Sequence, residues 1–204
     1  MQPEPLILAF DTSAAHCAAA LLCGGRVLAA RQEPMDKGQA ERLLPLLSEV
    51  LAEGGAGWSD LAALAVGVGP GNFTGVRIAV AAARGLALGL GIPAIGVTRL
   101  EALAHGLPRP LTVVEDARRG EVYVQHFDEV PGVAHLARLD ELAVAAAEVG
   151  SAARGSLLPG LPIAEATGLV ALQRLGRPQP RPAPFYLRGA DAAPPSDPPP
   201  VILP

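Results

Sequence analysis

The stretch GVGPGNFTGVR, Gly67–Arg77, decides how this chain is read. Gly67, Gly69, Gly71 and Gly75 surround Pro70, and strongly apolar segments lie on both sides. Residues 61–68, LAALAVGV, form a continuous apolar run of strand length. Residues 73–90 are apolar almost all round, with only Arg77 and Arg84 charged, and Asn72 stands where an N-cap belongs. The motif therefore predicts a sharp passage from a buried strand into a buried helix. Two roles fit such a turn. Backbone N–H groups at Gly69, Gly71 and Asn72, next to a helix N-terminus, suit an anion. The other role is purely structural, because the loop lacks the lysine of G-x-x-x-x-G-K-[ST] and its glycines miss the dinucleotide spacing G-x-G-x-x-G.

Upstream, residues 6–10, LILAF, read as a buried strand ending in Asp11-Thr12-Ser13. That triplet is either a carboxylate and two hydroxyls for a magnesium–phosphate group or an Asx-type turn closing the strand. Gly24-Gly25 separates two apolar runs and predicts a hairpin. Residues 39–52, QAERLLPLLSEVLA, predict an amphipathic helix with Pro45 on its polar side and Gly54-Gly55 at its end. On the helix 73–90, Gly75, Ala82 and Gly89 form a stripe of small residues opposite Arg77 and Arg84. Such a helix either packs on a sheet alone or also meets a second chain.

Downstream, IPAIGV (92–97) reads as a strand and TRLEALAHG as a helix. Pro108 and Pro110 mark a lobe boundary, giving lobes 1–107 and 108–204. LTVVE (111–115) and EVYVQHF (121–127) predict strands around the turn 116–120, and helices are expected over 139–149 and 163–175. Asp116, with Arg118 and Arg119, is either a second acidic site across a cleft or a hairpin turn with solvated charges. From Pro178 the chain is dense in proline, and PFYLR (184–188) has the side chains to dock.

Composition bounds the function. The chain has 204 residues, half of them hydrophobic, 18% charged and 3% aromatic, so Ala, Leu, Val and Gly must build the core. A net charge of −4 argues against a chain that grips a nucleic-acid backbone by itself. Cys17 and Cys23 make neither a disulfide framework nor a metal spacing. His16, His105, His126 and His135 have no pair at ligand spacing, so no metal is expected. Ser13 and Ser59 lack a nucleophile-elbow context. The start MQPEPLILAFD does not read as a signal peptide, and the long apolar stretches are cut by Arg84, glycines or Pro93. A soluble cytoplasmic protein is expected.

Taken together, the motifs resemble a family. ILAFDTS (7–13), LLPLL (43–47), GVGPGNFTGVRIAVAAARGLALGLGIPAIGV (67–97) and DARRGEVY (116–123), with YLRGADA (186–192) in the tail, are similar to the TsaB-type (YeaZ) tRNA threonylcarbamoyladenosine biosynthesis proteins, a glycoprotease-like family. The resemblance covers most of the first 125 residues. It implies an α/β, two-lobed actin-like ATPase (ASKHA) fold, with mixed sheets flanked by helices and a reduced second lobe. It also implies a non-catalytic subunit that heterodimerises with a catalytic TsaD-type paralogue and works with a TsaE-type ATPase. The assembly would modify the adenosine 3′ to the anticodon in tRNAs reading ANN codons, with tRNA bound only through the complex. The isolated chain would form a homodimer, and no membrane is involved.

On this reading no residue is catalytic and no resident cofactor is expected, beyond weak or shared ATP or ADP with magnesium. The expected partner face is Leu43, Leu47, Val50, Phe73, Gly75, Val76, Ala79 and Ala82. Asp11, Thr12, Ser13, Gly69, Gly71, Asn72 and Asp116 would be a vestigial nucleotide or anion site. The alternatives are an active ATPase or kinase of the actin-like fold and a peptidase acting on the paralogue.

Overall fold

The computed structural model describes residues 4–155 and 157–188. Residues 189–192 of the tail motif lie outside them. At the centre is β1 (Leu6–Asp11), where Ile7 and Ala9 enter one apolar cluster and Leu8 and Phe10 another. Alternate side chains thus bury on both faces of the sheet, which is why the run is apolar throughout. β1 pairs antiparallel with β2 (His16–Cys23), which turns at Gly24 into antiparallel β3 (Arg26–Pro34), as the Gly-Gly pair predicts. On its other side β1 pairs parallel with β4 (Ala63–Gly67), and β4 pairs parallel with β5 (Ala94–Val97). The order is β3-β2-β1-β4-β5.

One face of this sheet is covered by α1 (Gln39–Glu53) and α2 (Phe73–Leu90), the crossover between β4 and β5. Pro45 is exposed on the polar side of α1. By length and composition alone α2 could cross a membrane, but Val76, Ala79, Val80 and Ala83 pack into the cluster over the sheet. Cys17 is buried in the same cluster. Burial, with the Glu33 charge, pushes its thiol up to about 11, whereas Cys23 is partly exposed. Iodoacetamide at pH 8 should therefore label Cys23 alone, with a Cys17 adduct in the mass spectrum only after denaturation. Labelling of Cys17 in the native protein would contradict this packing.

The chain then enters α3 (Arg99–Ala104) through a capping box: Thr98 Oγ1 accepts from Glu101 N at 3.1 Å, and Glu101 Oε2 accepts from Thr98 N at 2.9 Å. The second sheet has the order β8-β7-β6-β9. β6 (Leu111–Asp116) and β7 (Glu121–Phe127) form a hairpin, β8 (His135–Arg138) extends it, and β9 (Glu148–Val149) runs parallel to β6. Two mixed sheets flanked by helices make the α/β architecture expected, the second sheet being the smaller.

One expectation is corrected. No helix forms over 139–149. That stretch is drawn out so that Glu148 and Val149 can pair with Thr112 and Val113, and the sheet overrides the helix propensity of the alanine run. Residues from both sides of the expected boundary share one core. α4 (Ile163–Leu172) crosses back onto the first sheet, where Gly168 lies so close to Leu22 that a Cβ would sit 2.4 Å from Leu22 Cδ1. One cluster runs from Ile7 through Val113 to Ala171. The boundary near residue 107 marks a change of sheet inside a shared core.

The proline-rich segment docks through PFYLR. Phe185 N donates to Val68 O at 2.8 Å, and Arg188 donates to Ala117 O at 2.8 Å and to the Glu121 carboxylate. The tail therefore ties the strand before the glycine loop to the β6–β7 turn.

Candidate functional site

The glycine loop closes on the segment that ends β1. Asp11, Thr12 and Ser13 are buried; the Asp11 side chain lies against Gly67, and the backbone of Ser13 and Thr12 against Gly71 and Gly75. A Cβ on Gly67 would fall 1.8 Å from Asp11 Oδ2, one on Gly71 2.1 Å from Ser13 O, and one on Gly75 1.9 Å from Thr12 O. Thr12 Oγ1 donates to Gly75 O at 2.6 Å, Asn72 N to Ser13 O at 2.6 Å, and Arg99 N to Gly69 O at 2.7 Å. The glycines are thus required by close approach of the chain to itself.

The same contacts occupy one of the expected anion donors, Asn72 N. Asn72 caps α2, its Oδ1 accepting from Thr74 N at 3.1 Å and Gly75 N at 3.3 Å. With Asn72 N given to Ser13, these amides of the helix start are satisfied internally. The Asp11 carboxylate, wholly buried beside Gly67, adds a negative charge next to any anion there. Its Oδ1 accepts from Ser13 N, Ser13 Oγ and His16 Nε2, each at 2.8 Å. Burial raises the Asp11 pKa, but the His16 hydrogen bond, with the charge of Arg99, outweighs it and holds the carboxyl below the ordinary value. Its partners therefore favour the ionised carboxylate, whose Oδ2 is buried without a hydrogen bond.

Asp116 does not join this cluster. It is exposed, and its Oδ1 accepts from Arg118 N at 2.9 Å, closing the hairpin turn as an Asx motif. The carboxylate that does couple to the cluster is its neighbour Glu115, bound by Arg99 Nε at 2.5 Å; the Arg99 charge also acts on Asp11. Strand alternation explains the swap, since adjacent residues of β6 face opposite ways. His16, Arg99 and Gln32 line an open cavity of ≈ 420 Å³ over this network. Sequence reasoning missed His16 and Arg99. The signal for His16 was available in its return along the strand that pairs with β1, whereas nothing in the sequence pointed to Arg99. Among the described residues, no group of three or more His, Cys, Asp or Glu is placed to hold a metal.

The expected partner face also changes. Leu43, Leu47, Val50, Val76 and Ala79 are at most 2% exposed and lie in the core over the first sheet, and Gly75 is sealed by Thr12. In the single chain these residues are covered by the protein's own sheet and loop. Of the residues expected, Phe73 is half exposed and Ala82 partly so. Phe73 stacks on Tyr186 at 5.5 Å, with the Arg77 guanidinium 3.5 Å above its ring and Arg77 Nε donating to Tyr186 Oη at 2.8 Å. Leu44 on α1 is 49% exposed.

Known proteins carry the same architecture. A family model described as TsaD: tRNA N6-adenosine threonylcarbamoyltransferase matches residues 33–157, more than half of the chain. The solved structure of YeaZ from Pseudomonas aeruginosa matches 90% of this chain and 100% of that one, with a TM-score of 0.74 and 30% identity. The chain belongs to the TsaB (YeaZ) family. Within it, the tRNA threonylcarbamoyladenosine biosynthesis protein TsaB of Escherichia coli is 43% identical over 123 residues, 57% of this chain and 52% of that protein. The matched stretch thus spans about half the length of that curated relative. An uncharacterized Mycobacterium tuberculosis protein is 37% identical over 167 residues, covering 78% of this chain and 79% of its own length. The family-model match contains the glycine loop and α2, and the E. coli relative's name supplies the tRNA modification to which the family is assigned.

Proposed function

We propose that the chain is a non-catalytic subunit in threonylcarbamoylation of the adenosine 3′ to the anticodon in tRNAs reading ANN codons. It acts by binding a catalytic TsaD-type paralogue and recruiting a TsaE-type ATPase, in the cytoplasm. The observation that carries this reading is the pairing of a self-filled loop with an open helix face. Asp11 Oδ1 and the amides of Ser13, Asn72, Thr74 and Gly75 are engaged within the fold, which leaves the loop as the foot of α2. The outer face of α2 keeps the Phe73–Arg77–Tyr186 stack at the surface, with Leu44 exposed on the neighbouring helix. Aromatic and arginine anchors with an aliphatic neighbour are the residue types that concentrate binding energy at interfaces. The same face would serve a homodimer when the paralogue is absent.

The test is calorimetry with the purified paralogue, alongside reconstitution of the modified nucleoside with and without this chain. Phe73→Asp should weaken association by roughly 30-fold or more, corresponding to about 2 kcal/mol for an interface anchor, with the melting temperature held. Affinity unchanged in the folded variant would remove α2 from the interface. The ATPase reading is met by titrating ATP and magnesium against the isolated chain; turnover lost in Asp11→Asn with the fold intact would restore it.

A further inference from the structure

A second surface lies at the opposite end of α2. The last two turns of this helix, residues 92–94 and the segment after α4 enclose an open cavity of ≈ 530 Å³. Arg84, Arg177 and Arg181 line it, with Gln179, Leu88 and Ile92. All three arginines are exposed, and none of the described residues lining the cavity is acidic. Elsewhere Arg31, Arg42, Arg99, Arg138, Arg154, Arg174 and Arg188 each sit in an ion pair, and Arg77 lies over the Phe73 ring. A molecule of net charge −4 therefore gathers three guanidiniums from two distant parts of its sequence around one hollow.

Helix capping does not account for them. The end of α2 is closed by Gly91 N and Ile92 N, both donating to Ala87 O, and the end of α4 by Gln173 N on Leu169 O. We propose that Arg84, Arg177 and Arg181 form a binding site for the phosphodiester backbone of RNA, a reading that rests on the tRNA function proposed above. Guanidinium presents paired N–H donors matched to two phosphate oxygens, and separate guanidiniums suit a run of singly charged diesters. Leu88, 81% exposed, offers an apolar contact beside the arginines. Phe73 lies eleven residues back, about 16 Å along the helix axis, so RNA here leaves the Phe73 end of α2 to a protein partner. A site of three guanidiniums adds to the grip of an assembly.

Fluorescence anisotropy of the full chain with an unmodified tRNA transcript, over a salt series from low ionic strength, tests it. In R84Q/R177Q/R181Q the affinity should fall at least tenfold. The slope of log K against log salt should shrink by about 2–3, near 0.9 for each duplex phosphate no longer neutralised and nearer 0.7 for single strands. Arg26→Gln, which removes an exposed charge on the β2–β3 turn, should leave both unchanged, and circular dichroism checks that the triple variant is folded. Unchanged affinity and slope in the triple variant overturn the site, as does no tRNA binding by the native chain at low salt. Competition by a poly-glutamate peptide as strong as by an RNA oligomer assigns the hollow to an acidic protein, and binding of AMP or inorganic phosphate as tight as tRNA assigns it to a free phosphate; either overturns the RNA proposal. The reconstituted modification assay separates the two levels. If the native chain supports modification while the triple variant binds tRNA normally, the site fails and the function stands; if the native chain does not support modification, the functional reading itself fails.

Discussion

Gly75→Ala unfolds the chain or lowers its melting temperature by roughly 6–12 °C, taking overpacking at about 3 kcal/mol and 2–4 °C per kcal/mol for a chain of this size. The added Cβ would lie 1.9 Å from the Thr12 carbonyl oxygen and 3.0 Å from its carbon. These are backbone atoms at the buried end of β1, and Thr12 Oγ1 is itself bonded to Gly75 O at 2.6 Å. Neither side can move without separating α2 from the central strand. Gly85→Ala and Gly89→Ala, in the same helix, should act in the opposite direction. Nothing lies within 4 Å of a Cβ at either position, and replacing an exposed mid-helix glycine gains about 0.5–1 kcal/mol. Thermal melts of the three variants decide the matter; a Gly75→Ala protein melting with the wild type would mean that α2 is not pressed on β1.

That contrast shows where the sequence stopped being readable. Gly75, Ala82 and Gly89 share one stripe, and the stripe correctly signalled a close backbone approach. It did not say that the approaching backbone is the chain's own at Gly75 and solvent at Gly89. The same limit applies to α1, whose apolar arc of Leu43, Leu47 and Val50 faces the protein's own sheet. Amphipathicity says that a face is buried and is silent on what covers it. Local signals fared better. β1 as a continuous buried strand, the hairpin at Gly24-Gly25 and the Asn72 cap were all legible, because each depends on neighbours in sequence. The partners of Arg99 and Tyr186 were not, because each lies across the fold: Glu115 in the second sheet, and Phe73 and Arg77 upstream by 109 residues or more. The same holds for β9, whose residues read as helix until β6 is placed beside them.

Glu148→Ala should cost about 3 kcal/mol in urea unfolding, the low end for removing one partner of a buried ion pair, since Arg154 keeps some solvent exposure. The Glu148 side chain is fully buried, and its partner Arg154 is 30% exposed. Glu148 Oε1 accepts from Ala145 N at 2.9 Å and Arg154 Nη2 at 3.0 Å, and Oε2 from Arg154 N at 2.8 Å. Arg154 in turn donates to Leu142 O and Ala143 O, so one carboxylate and one guanidinium organise the whole stretch that fails to form a helix. Removing the carboxylate strands two backbone donors and one charge at once. Burial raises the Glu148 pKa, but the Arg154 hydrogen bond and the Ala145 and Arg154 amides together hold it below the ordinary glutamate value. The stabilisation is therefore complete above that ordinary value and is lost as the pH falls through the lower folded one. The control is Arg138→Ala, which breaks an ion pair with Asp140 whose side chains are 54% and 64% exposed and should cost no more than about 0.5 kcal/mol. If the two variants are equally stable, β9 is held by its strand pairing alone. If Glu148→Ala instead gains helical ellipticity, then the buried charge is what keeps the alanine run from its own propensity.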